Sequence, residues 1–318
     1  MSNFPSSVIF REEGAREGFQ SESQVIATEN KVRLVDALST TGTTLMQVTS
    51  FVHPKWVPQM ADAEEVVRRM TIAPGVRYFG AYLNEHGLDR AIATGRLQQY
   101  GILTQYCSDA YANKNVNRTN AEILATFPRL CQRYKELGLD IYGSIIAAFG
   151  SNYDGHIPVS RVLEAVDEFV RLADEQQIRY ERIVLADSFG WANPEQIKRV
   201  IGAVRERYPD MPVGLHLHDT RGTGMANFYA ALTMGVSYFD TAIGGMGGSP
   251  FAKGAAGNIP TEDAAFLCEE LGIHTGLDLD RLIECVKLAE EIVGHPLPGK
   301  LSRGGSLTAI RNSSKEST

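Results

Sequence analysis

Short apolar runs alternate with segments of helical periodicity along almost the whole chain. Eight runs rich in aliphatic and aromatic residues end at glycine, proline or polar turns, which is typical of strands. They lie at residues 8–10, 44–51, 76–82, 100–106, 141–148, 182–187, 213–219 and 238–243. Strands that alternate with helices over short connections predict an α/β fold, a parallel (β/α)8 TIM barrel with an additional C-terminal helix.

The helical segments suggest how the chain is divided. The pattern predicts a polar loop at 108–117, a long helix at 119–137 and a last helix at 279–293. We assign residues 1–275 to the catalytic barrel, and residues 276–318 to the C-terminal helix and a mobile tail packed on the barrel. An open doubly wound sheet is the alternative. The glycines after the first strand, Gly14 and Gly18, do not form the G-x-G-x-x-G fingerprint that such a sheet usually carries.

Composition and charge narrow the class of protein. The chain has 318 residues, of which 43% are hydrophobic and 22% charged, and a net charge of −7. An acidic balance argues against nonspecific binding to nucleic acid or to anionic membranes. No apolar run reaches the roughly 18 residues of a membrane span, and the four cysteines lack C-x-x-C spacing. We therefore expect a cytoplasmic protein with reduced thiols and no nucleic-acid or membrane partner.

The strongest chemical signal is the run Leu215-His216-Leu217-His218-Asp219 in the seventh predicted strand. Residues two apart share one face of a strand, so both imidazoles point into the barrel if this strand is one of its staves. The C-terminal ends of barrel strands are where such folds carry their chemistry. Two neutral imidazoles make half of a divalent-metal site. The alternative is a pair of polar residues satisfied near the surface.

Other polar residues follow strand ends and should converge on the two histidines. Two imidazoles, a carboxylate and an amide oxygen suit an octahedral Mg²⁺ or Mn²⁺ better than a closed tetrahedral zinc site. Such a cation can polarise a substrate carbonyl and lower the pKa of a bound hydroxyl. We predict a divalent cation, Mg²⁺ or Mn²⁺, as the cofactor. The converging residues are Arg16, Glu17, Gln47, Asp187, His216, His218 and Asn258.

Three segments, at residues 49–62, 216–220 and 245–258, resemble the 3-hydroxy-3-methylglutaryl-CoA lyase family. The middle segment is shared with related synthases, whereas the other two are specific to the lyase branch. The resemblance implies a TIM-barrel enzyme that cleaves a 3-hydroxyacyl-CoA to acetyl-CoA and a keto acid. It also implies an acyl-CoA substrate as the small-molecule partner, and a possible homodimer.

The resemblance implies roles for individual residues of this chain. It implies that the metal ligands are Glu17, His216, His218 and Asn258, and that Arg16 stabilises the enolate oxygen of the thioester product. It places the family's strand-six aspartate at Asp187, the family's glutamate at Gln47 and its catalytic cysteine at Ser249.

Three of these positions depart from the family pattern. Glu17 replaces an aspartate and still offers a hard oxygen, whereas Gln47 replaces a glutamate and loses a charge. Ser249 replaces a cysteine, whose pKa near about 8.5 permits proton exchange that a serine hydroxyl achieves only with a neighbouring base. We expect Ser249 to act as a hydrogen-bond donor or proton relay.

The departures favour a lyase whose substrate specificity has changed to an acyl-CoA related to 3-hydroxy-3-methylglutaryl-CoA. Two alternatives stay open at this point. One is a citramalyl-CoA lyase, or an enzyme of the same superfamily that condenses acetyl-CoA with a 2-oxo acid. The other is a non-catalytic acyl-CoA-binding paralogue. Adding or removing one methylene group of a substrate changes its binding free energy by only about 1–3 kcal/mol. The sequence therefore does not identify the acyl group.

Overall fold

A computed structural model describes residues 4–248, 257–308 and 311 of the chain. Its main sheet has eight parallel strands. The strands, here labelled β1 to β8, are Ile9–Glu12, Leu45–Ser50, Arg77–Ala81, Gly101–Tyr106, Ile141–Ile146, Tyr180–Asp187, Val213–Leu217 and Tyr238–Thr241.

The sheet curls until its first and last strands pair. The hydrogen-bonded order is β3-β2-β1-β8-β7-β6-β5-β4. Between β3 and β4, at the two ends of this order, the Gln98 N–H donates to the Tyr78 carbonyl at 2.8 Å, and the rings of Phe79 and Tyr100 stack with centroids 5.0 Å apart. The predicted (β/α)8 barrel is therefore confirmed.

Helices connect successive strands and follow the barrel. The C-terminal helix has the predicted bounds, while the predicted helix at 119–137 is two helices separated at Ala125–Thr126. Pro128 lies in the first turn of the second one, and its ring nitrogen has no hydrogen to bond the preceding turn. In the described part of the chain, the α-helices of five or more residues are Thr28–Leu38, Ala63–Arg69, Glu85–Ala93, Asp109–Val116, Asn120–Leu124, Phe127–Glu136, Val159–Gln176, Pro194–Arg207, Gly224–Thr233, Thr261–Glu270 and Leu279–Val293.

The segment 108–117 also differs from its prediction as a loop. It holds the helix Asp109–Val116, which begins where the Ser108 hydroxyl accepts a hydrogen bond from the Tyr111 N–H at 3.0 Å. A serine at the N-cap is a helix-start signal. The helix was not predicted from the sequence, because its polar residues leave little apolar periodicity.

Side chains along β7 alternate between the two sides of the strand. Leu215 and Leu217 are fully buried, while His216 between them points into the barrel with the other site residues. The barrel interior beneath the site is filled by a cluster of apolar side chains. Its members are Leu45, Phe79, Tyr142, Val184 and Tyr238.

The C-terminal segment packs against the barrel as far as it is described. The Gly299 N–H donates to the Gly244 carbonyl at 3.0 Å, and the Leu301 N–H donates to the Asp263 carboxylate at 2.7 Å. The division at residue 275 stays a prediction. All four cysteines are free and buried, as expected. In the described ranges, none of the helices has both the length and the apolar character needed to cross a bilayer.

Candidate metal and catalytic centre

His216 on β7 and His218 directly after it bring their ring nitrogens together inside the barrel. Nε2 of His216 lies 3.0 Å from Nε2 of His218, and the ring centroids are 4.9 Å apart. His218 is 3% exposed. The i, i+2 spacing therefore places both rings on the inner face, as the sequence predicted.

Glu17 reaches the histidines from a tight turn that follows β1. Residues Gly14–Gly18 form one π-helical turn, and the Glu13 carbonyl accepts hydrogen bonds from the N–H groups of Arg16 at 3.0 Å and Glu17 at 2.7 Å. The turn directs Oε1 of Glu17 to 3.3 Å from Nε2 of His218 and 3.8 Å from Nε2 of His216. Single π-turns of this kind occur frequently at functional sites.

Asn258 completes the predicted ligand set from the segment after β8. It forms an isolated antiparallel bridge with His218, and its backbone N–H donates to the Met246 carbonyl at 3.2 Å. Its side-chain Oδ1 is buried and accepts no hydrogen bond from the described residues. An unsatisfied buried amide oxygen is costly, so an additional partner is expected there.

Gly247 lets the glycine-rich segment approach these ligands closely. Its φ of +109° belongs to the region that favours glycine, and an added Cβ would lie 2.8 Å from Nδ2 of Asn258 and 3.2 Å from Cγ of Glu17. Any side chain at this position would therefore push on two of the four predicted ligands.

The four residues fit a divalent cation. One ligand atom each from Glu17, His216 and His218 can be chosen so that all three lie within 4.8 Å of one another, and the free Oδ1 of Asn258 adds a neutral oxygen. Neighbouring ligands of an octahedral ion with bonds of about 2.1 Å are about 3.0 Å apart. The separation of the two imidazole nitrogens, 3.0 Å, matches that spacing.

The electrostatics also favour a cation here. Burial works against the charged forms of both Glu17 and His216, but their mutual attraction prevails. The pKa of Glu17 is held well below its usual range by His216 and Arg16. The pKa of His216 is raised to about 9 by Glu17 and Asp240, against the effect of burial. When no metal is bound, the carboxylates of Glu17 and Asp240 therefore favour the imidazolium form of His216.

Arg16 lies beside this cluster in a network of buried charges. Its NH2 donates to Oε2 of Glu13 and lies 3.2 Å from Oε2 of Glu17. The other oxygen of Glu13, Oε1, is 2.7 Å from the NH2 group of Arg11, which also contacts Oδ2 of Asp240 at 2.8 Å. Asp240 in turn approaches Nδ1 of His216 at 3.4 Å. A continuous chain of charges thus joins Arg16 to the histidine pair.

Glu13, His216 and Asp240 form a second group whose spacing would suit a metal ion. Arg11 already lies between the two carboxylates of that group and forms an ion pair with each. The trio of Glu17, His216 and His218 has no guanidinium in the equivalent bridging position, although Arg16 touches its outer oxygen. The group that contains Glu17 is therefore the better candidate.

Asp187 and Gln47 lie on opposite sides of the barrel, on β6 and β2. Asp187 ends β6 and is fully buried, and its two oxygens accept hydrogen bonds from the N–H groups of Trp191 at 2.8 Å and Ala192 at 3.0 Å. Burial raises its pKa, which those N–H groups and both site histidines oppose. Gln47 on β2 is buried, and its Oε1 accepts no hydrogen bond from the described residues. Ser249 lies outside the described residues.

The structure adds Arg11, Glu13 and Asp240 to the residues that the sequence predicted. Arg11 and Glu13 have the i, i+2 spacing that puts both on one face of β1, and Asp240 interrupts an apolar strand. The printed sequence places five charged residues at positions 11–13, 16 and 17, at the end of the first strand. It did not show that they face an aspartate on the last strand, because that contact needs closure of the barrel.

Similar proteins were found at the level of family, sequence and structure. A family model described as HMGL-like matches residues 7–289. Hydroxymethylglutaryl-CoA lyase YngG of Bacillus subtilis is 35% identical over 300 residues, which is 93% of this chain and 97% of that protein. The human mitochondrial hydroxymethylglutaryl-CoA lyase is 35% identical over 284 residues, which is 89% of this chain and 85% of that protein.

A solved structure of an HMG-CoA lyase from Acinetobacter baumannii superimposes with a TM-score of 0.86 and 34% identity. The match covers 97% of this chain and 98% of that one. That protein was solved in complex with coenzyme A and 3-methylmalate. The likeness in sequence and in fold therefore extends over the whole barrel.

Proposed function

Because this chain belongs to the HMGL-like family, we propose that it is a divalent-metal-dependent carbon–carbon lyase. It cleaves a 3-hydroxyacyl-CoA similar to 3-hydroxy-3-methylglutaryl-CoA, and it releases acetyl-CoA and a keto acid. The observation that carries this proposal is the buried cluster of Glu17, His216 and His218 at the C-terminal ends of the strands, with the free amide oxygen of Asn258 beside it.

The site residues divide into two roles. We assign Glu17, His216, His218 and Asn258 to holding the cation, which supplies Lewis acidity toward the hydroxyl and carboxylate oxygens of a bound substrate. Arg16 lies next to Glu17 and offers a guanidinium to the enolate oxygen that develops on the thioester when the carbon–carbon bond breaks.

The remaining predicted residues have narrower roles. Asp187 fixes the loop after β6 through the two N–H groups that it accepts, and so shapes the edge of the site. The amide of Gln47 is placed to hydrogen-bond a substrate or an ordered water through its free Oε1. We retain Ser249 as the proton relay that its sequence position suggests.

The relatives support a proposal for the class of the acyl group. The Acinetobacter protein was solved with coenzyme A and a hydroxylated dicarboxylic acid, which supports a short acyl-CoA of that class for this chain. We propose Mg²⁺ or Mn²⁺ as the ion, since a glutamate, an amide and two imidazoles leave coordination positions for substrate oxygens. The homodimer and the cytoplasmic location stay predictions.

The proposed function is tested by incubating the protein with Mg²⁺ or Mn²⁺ and a panel of thioesters. The panel holds 3-hydroxy-3-methylglutaryl-CoA, citramalyl-CoA and bulkier 3-hydroxy-3-alkylglutaryl-CoA compounds, and mass spectrometry follows acetyl-CoA. We expect release from at least one thioester that EDTA and His218→Ala abolish. His86→Ala, at an exposed helix position, is the matched control and should retain full activity.

Two outcomes of this assay discriminate among the alternatives. Release from citramalyl-CoA alone would assign the chain to that branch of the carbon–carbon lyases. Metal binding without release from any thioester would overturn the proposal in favour of a condensing or non-catalytic protein. Ser249→Cys in parallel tests whether the serine sets the choice of thioester.

A further inference from the structure

We propose that Glu13 is a positioning residue that shares the Arg16 guanidinium with Glu17, keeps it from shifting further toward Glu17 and aims it at the reacting thioester. Its importance for catalysis rests on the function proposed above. The restraint on Arg16 is a property of the protein alone. Glu13 is fully buried and acts on Arg16 through both its backbone and its side chain.

The backbone of Glu13 sets the turn on which Arg16 lies. The Glu13 N–H continues the β1–β8 pairing by donating to the Thr241 carbonyl at 2.8 Å. The Glu13 carbonyl then accepts from the N–H groups of Arg16 and Glu17 at the start of the π-helical turn, which the Phe19 N–H closes by donating to the Gly14 carbonyl. Glu13 therefore connects the end of β1 to the start of the turn, so Arg16 is anchored directly to the barrel wall.

The side chain of Glu13 holds the far end of Arg16. Oε2 accepts from the Arg16 guanidinium, while Oε1 lies 2.7 Å from NH2 of Arg11. The Arg16 contact is a charge-assisted hydrogen bond, which is stronger than a neutral one where water is excluded, and the Arg11 contact is an ion pair. A carboxylate with a guanidinium on each oxygen has little freedom to rotate.

Arg11 is itself fixed, so the restraint on Glu13 does not depend on Arg16. The Arg11 guanidinium contacts Oδ2 of Asp240 at 2.8 Å and donates to the Tyr142 hydroxyl at 3.0 Å. Through Arg11, Glu13 is thus anchored to Asp240 on β8 and Tyr142 on β5. Asp240 also contacts Nδ1 of His216, a predicted metal ligand.

A second carboxylate competes for Arg16. Its NH2 group lies 3.2 Å from Oε2 of Glu17, so two acidic residues share the guanidinium. If Glu13 loses its charge, the attraction to Glu17 is unopposed, and Arg16 should swing toward the predicted metal ligand. A misplacement of about 1 Å can reduce a rate about 100-fold, so this shift should be visible in turnover.

The first test is the kinetics of Glu13→Gln, which keeps the size and backbone of the residue but removes its charge. We expect kcat on the best thioester of the panel to fall about 10- to 100-fold, while KM changes less than about 3-fold. Glu13→Asp keeps the charge on a shorter arm and should give an intermediate kcat. Equal kcat values for Glu13→Gln and the unmodified protein would overturn the proposal.

The second test needs neither substrate nor metal. Carbon-detected NMR of ¹⁵N-labelled arginine measures rotation of each guanidinium in the metal-free protein, with the Arg16 signal assigned from Arg16→Lys. We expect slow rotation for Arg16 in the unmodified protein, and rotation at least about 10-fold faster in Glu13→Gln. Unchanged rotation would contradict the positioning role even if the protein proves inactive on every thioester.

Glu12→Gln is the matched control for the NMR experiment. Glu12 is equally buried and adjacent in sequence, but its carboxylate accepts from the N–H groups of Gly14 at 2.7 Å and Ile243 at 2.9 Å. Its change should leave the rotation of Arg16 unaltered. If Glu12→Gln accelerates Arg16 as much as Glu13→Gln, the restraint comes from general packing and the proposal fails.

Discussion

His216 and Asp240 lie side by side on neighbouring strands, with Nδ1 of the imidazole 3.4 Å from Oδ2 of the carboxylate. The opposite nitrogen, Nε2, faces His218 and Glu17. A carboxylate at Nδ1 fixes the ring orientation and favours a proton on that nitrogen, which leaves Nε2 free for a cation. The candidate metal centre therefore has a neighbouring carboxylate that the sequence did not identify.

Replacing Asp240 with asparagine should weaken metal binding without removing a ligand. Loss of a carboxylate behind a metal-binding histidine typically costs about 10- to 100-fold in affinity. Titration calorimetry with Mn²⁺ at pH 7.5 measures the effect. Asp263→Asn, which changes a carboxylate bound to backbone N–H groups in the C-terminal segment, is the control and should bind Mn²⁺ normally. Equal affinities of the two variants would contradict the supporting role of Asp240.

Gly247→Ala should also weaken Mn²⁺ binding. The new Cβ would meet Nδ2 of Asn258 at 2.8 Å and Cγ of Glu17 at 3.2 Å, so two predicted ligands must move. We expect an affinity loss of about 10-fold or more, comparable to the loss of a supporting residue. Calorimetry again provides the measurement.

Gly75→Ala separates this steric effect from backbone strain. Gly75 has a similar φ of +80°, but an added Cβ has no heavy atom within 4 Å. Both variants force a methyl group into the glycine-favoured region, at about 1–2 kcal/mol. Only Gly247→Ala should change Mn²⁺ affinity. If both variants bind alike, the glycine does not govern the ligands.

The parts of the site that lie on one strand could be predicted from the sequence. His216 and His218 share a face because a strand repeats every two residues, and eight alternating units implied the barrel that turns that face inward. The family assignment and the fold are confirmed. The roles of the individual site residues stay predictions.

The parts that depend on contacts between distant strands could not be predicted. Arg11 meets Asp240 across 229 positions of sequence, and no local pattern encodes which charge faces which. The π-helical turn at Gly14–Gly18 was equally hidden, because one extra residue in a turn leaves no periodicity. Prediction therefore failed where strand pairing and a single irregular turn decide the geometry.

Glu262 should make the stability of the fold depend on pH. Burial raises its pKa to about 8, with Asp263 and Glu12 adding repulsion, although the Gly244 N–H donates to Oε2 at 2.9 Å. The unfolded chain titrates near about 4.3, so the native state holds the extra proton between these values. The stabilisation is complete below the unfolded pKa and is lost as pH rises through about 8.

The measurement is the free energy of unfolding in urea at half-unit steps from pH 5 to pH 8.5, with EDTA present. We expect the unmodified protein to lose on the order of a few kcal/mol over this range. Glu262→Gln should show a shallower slope and be the more stable protein at pH 8. Glu12, whose pKa is also raised by burial to about 7, leaves a residual slope. Parallel pH profiles would rule out Glu262 as a source of the dependence.

A buried ion pair should contribute more to stability than an exposed one nearby. Lys31 is 2% exposed, and its ammonium contacts Oδ1 of Asp62 at 2.5 Å just before the helix Ala63–Arg69. Asp62→Ala leaves that ammonium buried, with the Gln59 carbonyl as its remaining hydrogen-bond partner among the described residues. Removing one partner of a buried pair typically costs about 3 kcal/mol or more, and the partial exposure of Asp62 reduces that toward about 2 kcal/mol.

Urea denaturation of Asp62→Ala and Glu65→Ala compares the two settings. Glu65 pairs with Arg68 on the same helix, but their side chains are 41% and 70% exposed. Solvent and salt screen such pairs, so Glu65→Ala should leave the denaturation midpoint within error of the unmodified protein. The Asp62→Ala midpoint should fall clearly with an unchanged m value. Equal denaturation midpoints for the two variants would mean that water hydrates the Lys31 ammonium in Asp62→Ala. The ion pair of Lys31 and Asp62 would then not be what holds the loop of residues 53–62 to the barrel.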